Sequence, residues 1–422
     1  MKNNINMPLL ANSSFDISLF ELFLPLLSGG QATLLDNNDI KDIDNLKKQL
    51  KVNNAFHAVP ALMNQITDNI ISSNDKEIAS HIEEVFVGGD KVPTETLRKI
   101  NQVFSNARIN ILYGPTESTV FTTVNQYLTG NKGSMSGSII GNPISNTQIY
   151  ILSKSFEPSP IGVSGKIFIS GIGVSKGYLN KPELTEEKFI ANPFIEGERM
   201  YDTGDLGRWL PDGTVEFMGR KDNQVKIRGF RIELEEIEAV LLRYSKELLD
   251  VIVEAKDING EKNLIAYFVA NTIIDKSTIR SYLQEKLPEY MIPSFYIELE
   301  SIPLTANGKV DRKALPNVTG DDLIRKEYVA PSSDIEAKLV LIWEEVLGIE
   351  KVGITDDFFE LGGQSIKVIK IIAQIKKVFN INIDMEKVFK YTTIKIFAQE
   401  IANQIWYKED VSNDDIEDKI II

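Results

Sequence analysis

The stretch DDFFELGGQSIKVIKI, residues 356–371, places a serine between a glycine turn and an apolar helical run. Gly362 and Gly363 precede Ser365, and the apolar residues after it recur at the spacing of one helix face. This junction predicts that the last part of the chain is helical. Ser365 could cap that helix, attack a substrate or carry an attached group. Serine is among the best capping residues, but a cap explains neither the glycines, which leave the approach to Ser365 open, nor the acidic residues before them.

The residues around Ser365 argue against a hydrolase nucleophile. The nucleophile elbow of hydrolases reads G-x-S-x-G, and Lys367 stands where its last glycine would be. A serine nucleophile also needs a base, and the histidines of the chain, His57 and His81, lie far upstream in another predicted domain. Ser365 is therefore predicted to be a cap or an attachment point.

Apolar periodicity divides the chain into three predicted units. Residues 1–220 alternate short β-rich runs with helical patterns, which predicts a mainly parallel sheet with ligands at the carboxyl ends of its strands. Residues 221–316 predict a smaller α+β unit in which QVKIRGFRIE is one strand, and the polar residues 317–333 predict a linker. Amphipathic helices across residues 334–402 predict a small bundle, followed by a loose acidic tail at 403–422.

The composition argues against several classes of function. The formal net charge of −14 disfavours general binding to nucleic acid or an anionic membrane, because both need a positive surface. The chain has no cysteine, which excludes disulfides, thiolate metal sites and a cysteine nucleophile. No run approaches the roughly 18 apolar residues of a membrane span, and the first residues show no cleavable signal. These features predict a cytoplasmic protein.

Two loops of the first predicted unit carry candidate chemistry. NILYGPTES, residues 110–118, runs from a strand into a Gly-Pro turn, where Thr116 could meet a phosphate and Glu117 could hold Mg²⁺. YDTGDLGRWLPDG, residues 201–213, holds Asp205 behind a tight turn, where a carboxylate could accept from both hydroxyls of a ribose. A plain turn and a turn-capping carboxylate are the alternatives to these roles.

A turn signal near the end of the second predicted unit carries a lysine. Asn307-Gly308 is typical of a hairpin, and Lys309 beside it is either a solvated lysine or a mobile positive charge. The sequence has no P-loop, and GIGVSKG at 171–177 lacks the spacing of a dinucleotide fingerprint. Histidines do not cluster at metal-ligand spacing.

In their order along the chain, these stretches resemble a nonribosomal peptide synthetase, with part of an adenylation domain followed by a peptidyl carrier domain. The resemblance runs from residue 13 to about residue 400. It implies a multidomain fold with an α/β adenylate-forming large-domain remnant, a small α+β lid domain and an all-α four-helix-bundle carrier domain. The matching motifs are FDIS, LYGPTE, GKIFISGIGVSKGYL, YDTGDL, GRKDNQVKIRGFRIELEEIE, LPEYMIP, NGKVDR and DDFFELGGQSI.

The resemblance implies a reaction and its partners. ATP, with Mg²⁺, and an α-amino acid would give aminoacyl-adenylate and pyrophosphate. The aminoacyl group would then be held as a thioester on 4′-phosphopantetheine, which a phosphopantetheinyl transferase attaches to Ser365. Condensation and thioesterase steps would come from other synthetase modules.

By resemblance, residues of the first two units acquire roles in adenylation. Asp16 would pair with the α-ammonium group of the amino acid, and Glu117 would hold Mg²⁺. Lys309 would bridge the amino acid carboxylate and the α-phosphate, where a point charge stabilises the transition state. Asp222 would be the hinge about which the lid domain rotates between the half-reactions. The nucleotide-binding residues would be Tyr113 on adenine, Gly114, Thr116 on phosphate, and Asp205 with Arg220 at the ribose.

The resemblance also implies a specificity pocket for the amino acid side chain. Its lining is apolar apart from Asp16 and His57, and burying a charged side chain there would be costly. We therefore expect a neutral, hydrophobic α-amino acid. His57 would either donate to a substrate hydroxyl or sit satisfied in the wall. The implied lining residues are Asp16, Ile17, Phe20, His57, Phe86, Gly88, Leu112, Val120 and Phe121.

The chain departs from the family's pattern at its beginning. The first match, FDIS, starts at Phe15, and the Ser/Thr/Gly-rich loop that cradles the ATP phosphates is not in the sequence. We therefore expect a fragment, a split-gene half or a chain that needs a partner, with weak ATP binding by itself. The alternatives to a working module are a truncated activation domain whose carrier others load, and an acyl- or aryl-activating relative. Asp16 argues against the last, since its carboxylate would repel an acid that lacks an ammonium group.

Overall fold

The chain forms two compact units, Met1–Arg231 and Ile232–Ile422, which divide after the predicted boundary at residue 220. The predicted domain boundaries themselves stay predictions. Asp222, Lys309 and part of the predicted linker lie outside the described residues. The structure, a computed structural model, describes residues 4–36, 43–129, 135–220, 224–227, 229–258, 261–305, 310–318, 328–363, 365–381 and 383–417.

The first unit is built from strands and helices that follow the predicted alternation. Its helices are α1 (Ile17–Leu27), α2 (Ile43–Val52), α3 (Pro60–Ser73), α4 (Lys76–His81), α5 (Thr94–Val103) and α6 (Pro182–Lys188). Its strands are β1 (Asn6–Leu9), β2 (Gln31–Leu34), β3 (Ala55–Ala58), β4 (Glu84–Gly88), β5 (Arg108–Tyr113), β6 (Thr123–Leu128), β7 (Ile139–Pro143), β8 (Thr147–Leu152), β9 (Gly165–Gly171), β10 (Phe189–Ala191), β11 (Arg199–Trp209) and β12 (Val215–Arg220).

Within the described part of the chain, ten of these strands form one sheet, in the order β3-β4-β5-β6-β7-β12-β11-β9-β8 with β10 paired to β11. In that sheet, β3, β4 and β5 are parallel, and the described pairings from β5 onward are antiparallel. The prediction of a mainly parallel sheet is therefore wrong beyond β5. Helices α3 to α5 supply the crossovers that parallel strands need, whereas turns without a long helix, such as 210–214, join antiparallel neighbours.

The parallel strands are buried on both faces, and each face receives different helices. Phe56, Val85 and Ile109 point to the core that includes residues of α3 and α5. Because neighbouring residues of a strand alternate between faces, Ala55 and Phe86 point to the opposite face. There they pack with α1 through its residues Ile17, Phe20 and Leu24.

A short hairpin replaces the single strand predicted at QVKIRGFRIE. Strands β13 (Val225–Ile227) and β14 (Phe230–Ile232) pair with each other. Gly229 between them has φ +84°, a left-handed conformation that glycine adopts without strain. This glycine reverses the chain, which the apolar pattern of the stretch does not reveal.

The second unit contains a small sheet and a helical bundle. Strands β15 (Leu248–Ile258), β16 (Glu261–Ala270) and β17 (Phe295–Glu298) form a sheet with an antiparallel and a parallel pairing. Helices α7 (Leu234–Leu241) and α8 (Lys276–Lys286) complete this α+β part, as predicted. Strand β17 was not predicted.

The bundle contains α9 (Asp334–Leu347), α10 (Ser365–Phe379), α11 (Met385–Lys390) and α12 (Ile394–Glu417), which agrees with the expected four-helix carrier. Ser333 and Glu336 form a capping box at the start of α9. Trp343, Phe358 and Phe397 are fully buried in the core. Helix α12 runs to Glu417, so the expectation of a loose tail is wrong for residues 403–417. None of the helices in the described ranges is long and apolar enough to cross a membrane.

Candidate functional site

The first candidate cluster lies where β5, β11 and β12 come together. Tyr113 is the last residue of β5, and Asp205 in β11 pairs in register with Arg220, the last residue of β12. The Tyr113 hydroxyl donates to Oδ2 of Asp205 at 2.5 Å, and Nη1 of Arg220 lies 2.6 Å from Oδ1. The structure thus joins three predicted nucleotide-binding residues that are far apart in sequence.

The electrostatics of this cluster follow from its burial. Burial raises the pKa of the Asp205 carboxyl above its ordinary value, and the Arg220 charge and the Tyr113 hydroxyl offset that effect only in part. Burial and the Asp205 carboxylate also raise the pKa of the Tyr113 hydroxyl. Tyr113 therefore remains a hydrogen-bond donor across the physiological pH range.

An irregularity within β11 stands where the sequence predicted a tight turn before Asp205, because the pairing with β9 shifts register between Asp202 and Leu206. The Asp205 amide donates to Oγ1 of Thr203 at 3.0 Å, and that hydroxyl donates to the Ile167 carbonyl at 2.7 Å. The Gly204 amide donates to Oδ1 of Asp202 at 3.1 Å. Because Thr203 and Asp202 accept the backbone amides of this irregular segment, the turn-capping alternative for Asp205 does not hold. Its carboxylate is directed to Tyr113 and Arg220 instead.

The loop after β5 depends on the glycine at its start. A Cβ at Gly114 would lie 2.3 Å from Cα of Phe121, so only glycine allows the loop to fold back over itself. Thr116 begins a single 3-10 turn and is exposed. Thr119 and Val120 both have φ of +67°, a strained conformation that residues with a β-branched side chain rarely adopt.

Glu117 in this loop is engaged by three donors. Its Oε1 accepts from the hydroxyls of Tyr178 at 2.7 Å and Tyr201 at 2.8 Å, and its Oε2 lies 2.7 Å from Nη1 of Arg231. Burial alone would raise the pKa of Glu117, but the Arg231 charge and the tyrosine hydroxyls outweigh burial and hold that pKa below 4.5. Burial also raises the pKa of Tyr201 to about 12.

This arrangement does not fit Mg²⁺ at Glu117. A divalent cation would have to share the carboxylate with a guanidinium group of the same charge sign, and Mg²⁺ demands near-ideal octahedral oxygen geometry. Across the residues that the structure describes, no group of three or more His, Cys, Asp and Glu could hold a metal ion. In this arrangement Arg231 provides the positive charge beside Glu117. The metal-binding role of Glu117 stays a prediction and requires Arg231 to move away.

We predict that Glu117→Gln destabilises the first unit by about 2 kcal/mol at pH 7, because a hydrogen-bonded charge pair is lost. The folded-state pKa of Glu117 is lowered, so this stability is present above about pH 4.5 and is lost as the pH falls below it. The deficit should therefore shrink towards pH 3. Urea unfolding of the wild type and the variant measures this deficit, and hydrogen exchange of the β11 amides assigns it to the first unit.

The matched control for this prediction is Glu216→Gln. Glu216 pairs with Arg208 on the same sheet and accepts from the Ser138 hydroxyl. The Glu216 and Arg208 side chains are 22% and 38% exposed, against 11% and 31% for Glu117 and Arg231. Exposed pairs contribute at most about 1 kcal/mol, so this variant should change little. Equal losses in the two variants, or a deficit for Glu117→Gln that is constant with pH, would contradict the prediction.

Several residues predicted to line a specificity pocket lie on the sheet face that α1 covers. Ile17, Phe20, Phe86, Leu112 and Phe121 belong to one apolar cluster. The Phe20 ring meets the Phe86 and Phe121 rings edge to face, with centroids 5.0 and 5.2 Å apart. The apolar residues predicted for the lining therefore do come together.

Three other predicted lining residues contribute differently. A Cβ at Gly88 would lie 2.6 Å from the Leu112 carbonyl, so glycine is needed where β4 approaches β5. Asp16 occupies the N-cap position of α1, but its side chain makes no capping hydrogen bond. Val120 lies on the strained turn and is not a member of the apolar cluster.

His57 has a buried partner that the sequence reasoning missed. Its Nδ1 lies 2.9 Å from Oε1 of Glu21, and both side chains are at most 4% exposed. Nε2 of His57 is buried and has no hydrogen-bond partner. The expectation that His57 sits satisfied in the wall is therefore wrong for this nitrogen. The available signal was Glu21 itself, a carboxylate within the apolar stripe of α1.

The backbone around Ser365 explains the two glycines. Gly362 has φ +80°, and a Cβ at Gly363 would lie 2.3 Å from the Phe358 carbonyl oxygen. The turn therefore requires both glycines for its backbone conformation, independently of any role in keeping the approach to Ser365 open. Helix α10 begins at Ser365, so this serine is its first helical residue and does not occupy the preceding cap position.

Comparisons with known proteins match two separate parts of the chain. A family model described as AMP-binding enzyme matches residues 4–179, and one described as phosphopantetheine attachment site matches residues 337–401. The chain is 44% identical over 393 residues to gramicidin S synthase 2 of Aneurinibacillus migulanus, covering 93% of this chain and 9% of that protein. It is 42% identical over 391 residues to tyrocidine synthase 3 of Brevibacillus parabrevis, covering 92% of this chain and 6% of that protein.

A solved structure confirms the expected fold class. Holo-PA1221, an NRPS protein containing adenylation and PCP domains, matches with a TM-score of 0.76 at 24% identity, covering 96% of this chain and 66% of that one. This likeness shows the fold. The chain spans less than a tenth of the length of each of these two relatives, 9% of the first and 6% of the second.

Proposed function

The chain joins part of an AMP-binding enzyme to a phosphopantetheine attachment domain, as in a nonribosomal peptide synthetase, and from this premise we propose that it activates an amino acid and tethers it. The observation that carries the proposal is this pairing of domains in one chain. An oxygen of the amino acid carboxylate attacks the α-phosphorus of ATP, a P–O bond forms, and pyrophosphate leaves. The product is an aminoacyl-adenylate.

The residues of the first cluster support a nucleotide site. Asp205 presents a carboxylate held by Arg220 and Tyr113, and the ribose hydroxyls would be donors to such an acceptor. Tyr113 would stack on adenine, Thr116 would contact phosphate, and Gly114 would also belong to the nucleotide site. Lys309 would stabilise the negative charge that builds up on the reacting oxygens.

The carrier domain fits an attached phosphodiester at Ser365. This residue opens α10, and the N-terminus of a helix favours negative charge because its first amides lack partners within the helix. When attached there by a phosphopantetheinyl transferase, 4′-phosphopantetheine supplies the thiol that takes the aminoacyl group as a thioester. Other synthetase modules would then form and release the peptide.

Asp16 supports an amino acid as the substrate. Because its side chain makes no capping bond, its carboxylate can pair with an α-ammonium group. An acid without that group would leave the carboxylate unpaired, so acyl- or aryl-activation is not favoured. The apolar cluster beside it favours a neutral side chain.

We expect Asp16→Asn to raise the KM for the amino acid roughly 10- to 150-fold, because a charge-assisted hydrogen bond of about 1.5–3 kcal/mol is lost. Amino-acid-dependent exchange of pyrophosphate into ATP measures this change. Asp68→Asn is the matched control, since Asp68 is 56% exposed and pairs with Lys99 elsewhere in the unit. An unchanged KM for the amino acid in Asp16→Asn would contradict the assignment of Asp16 to the substrate site.

A further inference from the structure

A buried Glu–His pair connects helix α1 to the face of the sheet that carries the predicted pocket. Ile17, Phe20, Glu21 and Leu24 recur at the spacing of one helix face, so the Glu21 carboxylate lies in an apolar stripe. It meets His57 on β3, beside Phe86, its register partner on β4. The hydrophobic residues of this face include Phe20, Phe86 and Phe121.

Both carboxylate oxygens of Glu21 are engaged in hydrogen bonds within the protein. Its Oε2 accepts from the amides of Leu10 at 2.7 Å and Ala11 at 2.8 Å, and its Oε1 lies 2.9 Å from Nδ1 of His57. The residue has no exposed surface. These contacts fix the carboxylate in place and leave it little capacity for a ligand.

The pair selects one tautomer of the imidazole ring. A carboxylate only accepts hydrogen bonds, so the proton of the neutral ring must lie on Nδ1. Nε2 then presents a lone pair. Because that nitrogen is buried without a partner, the free protein carries an acceptor whose hydrogen bond is missing.

We propose that the orphaned Nε2 of His57, oriented by Glu21, selects an amino acid whose largely apolar side chain carries a hydroxyl group. This inference rests on the proposed function and names its substrate class. The substrate hydroxyl donates to Nε2, while the rest of its side chain packs against Phe20, Phe86 and Phe121. Glu21 acts through His57 and is a positioning residue.

Other polar side chains fit this environment less well. A carboxylate has no proton to donate to Nε2, and an ammonium or guanidinium group would be buried without a counter-ion, because Glu21 is already occupied. A primary amide could donate one hydrogen bond, but its second N–H and its carbonyl oxygen would also need partners. A hydroxyl group donates one hydrogen bond to Nε2 and leaves fewer polar groups without a partner than an amide does.

The first test compares amino acids that differ by a single hydroxyl. The full chain, carrying phosphopantetheine, is loaded in the presence of ATP with tyrosine or phenylalanine, threonine or valine, and serine or alanine. We expect the hydroxylated member of at least one pair to have a kcat/KM about tenfold or more above its partner. His57→Phe should reduce the ratio of kcat/KM values within that pair to about one, and His81→Phe, the matched control, should leave the ratio as in the wild type. Equal kcat/KM values within every pair that is loaded would overturn the proposal.

A second measurement does not depend on catalysis. The chain has two histidines, so ¹⁵N-histidine spectra of the wild type and of His81→Gln assign His57. We expect the Nδ1-protonated tautomer, and a shift of the Nε2 resonance with a hydroxylated amino acid but not with its hydroxyl-free partner. Glu21→Gln should alter the tautomer, which loss of packing alone would not do.

The two measurements separate failure of this inference from failure of the proposed function. If no amino acid is loaded but the Nε2 resonance responds as expected, activation has failed and the recognition by His57 stands. If amino acids are loaded and the Nε2 resonance responds to none of them, or if the ring is protonated at Nε2, the inference is wrong and the proposed function stands. If there is neither loading nor a response of Nε2, both are wrong.

Discussion

Ser365→Ala is expected to abolish the attachment of phosphopantetheine completely. The oxygen of the Ser365 side chain is the atom that would bond to phosphorus, and alanine has no nucleophile to replace it. Alanine is a better helix former than serine, so α10 should persist in the variant. Intact mass before and after incubation with a phosphopantetheinyl transferase and coenzyme A measures the attachment.

The control for this substitution is Ser281→Ala, which removes an exposed serine from helix α8 of the same unit. Ser281→Ala should gain the same mass as the wild type. A mass gain in Ser365→Ala, or none in the wild type, would refute the assignment of Ser365. If the wild type is modified but takes no aminoacyl group from ATP and pooled amino acids, the carrier is functional and must be loaded by another protein.

Arg220→Ala is expected to destabilise the first unit by about 3–5 kcal/mol, because it removes the cation that is hydrogen-bonded to the buried Asp205 carboxylate. Lys226 and Arg231 act on that carboxylate only through their charge. The Arg220 and Asp205 side chains are 13% and 8% exposed, so water cannot replace the lost partner well. Tyr113 would remain as a neutral donor. Chemical unfolding at pH 7 measures the loss.

The pH dependence of this loss has a defined sign. The folded-state pKa of Asp205 is already raised, and removal of the Arg220 charge raises it further. The penalty for a charged Asp205 is therefore present above its folded-state pKa and diminishes as the pH falls through that value. The deficit of Arg220→Ala should shrink in acid, and the added substitution Asp205→Asn should recover part of it at pH 7.

The neighbouring pair on the same two strands provides the control. Arg208 and Glu216 are register partners on β11 and β12, but the Arg208 side chain is 38% exposed. Arg208→Ala should cost no more than about 1 kcal/mol. Comparable losses in the two arginine variants would show that the burial of the Asp205–Arg220 pair is not what makes it important.

Local patterns of the sequence were sufficient to predict many of the helices and strands and the order of the AMP-binding and carrier segments. Short β-rich runs identified β3, β4 and β5, and helical periodicity identified α9 and α10, because these patterns depend on the neighbours of a residue along the chain. The motifs also placed an AMP-binding segment before a phosphopantetheine attachment site, and both family models match in that order.

Local patterns failed where distant segments meet. They did not reveal the antiparallel part of the sheet, since strand direction depends on connections and neighbours. They identified Glu117 as an oxygen ligand, but only the fold shows Arg231 beside it. The reversal at Gly229 also escaped the apolar pattern, because a positive φ leaves no mark on hydrophobic spacing.

The sequence by itself determined which side chains can donate, accept or carry charge, and it placed Tyr113 and Ser365 at the ends of elements. Only the tertiary structure decided which of those groups are paired. It pairs Asp205 with Arg220 and Tyr113. It also pairs Glu21 with Nδ1 of His57 and leaves Nε2 of His57 without a hydrogen-bond partner. The physical reason is that hydrogen bonds and burial depend on distances in space, which separation along the chain does not specify.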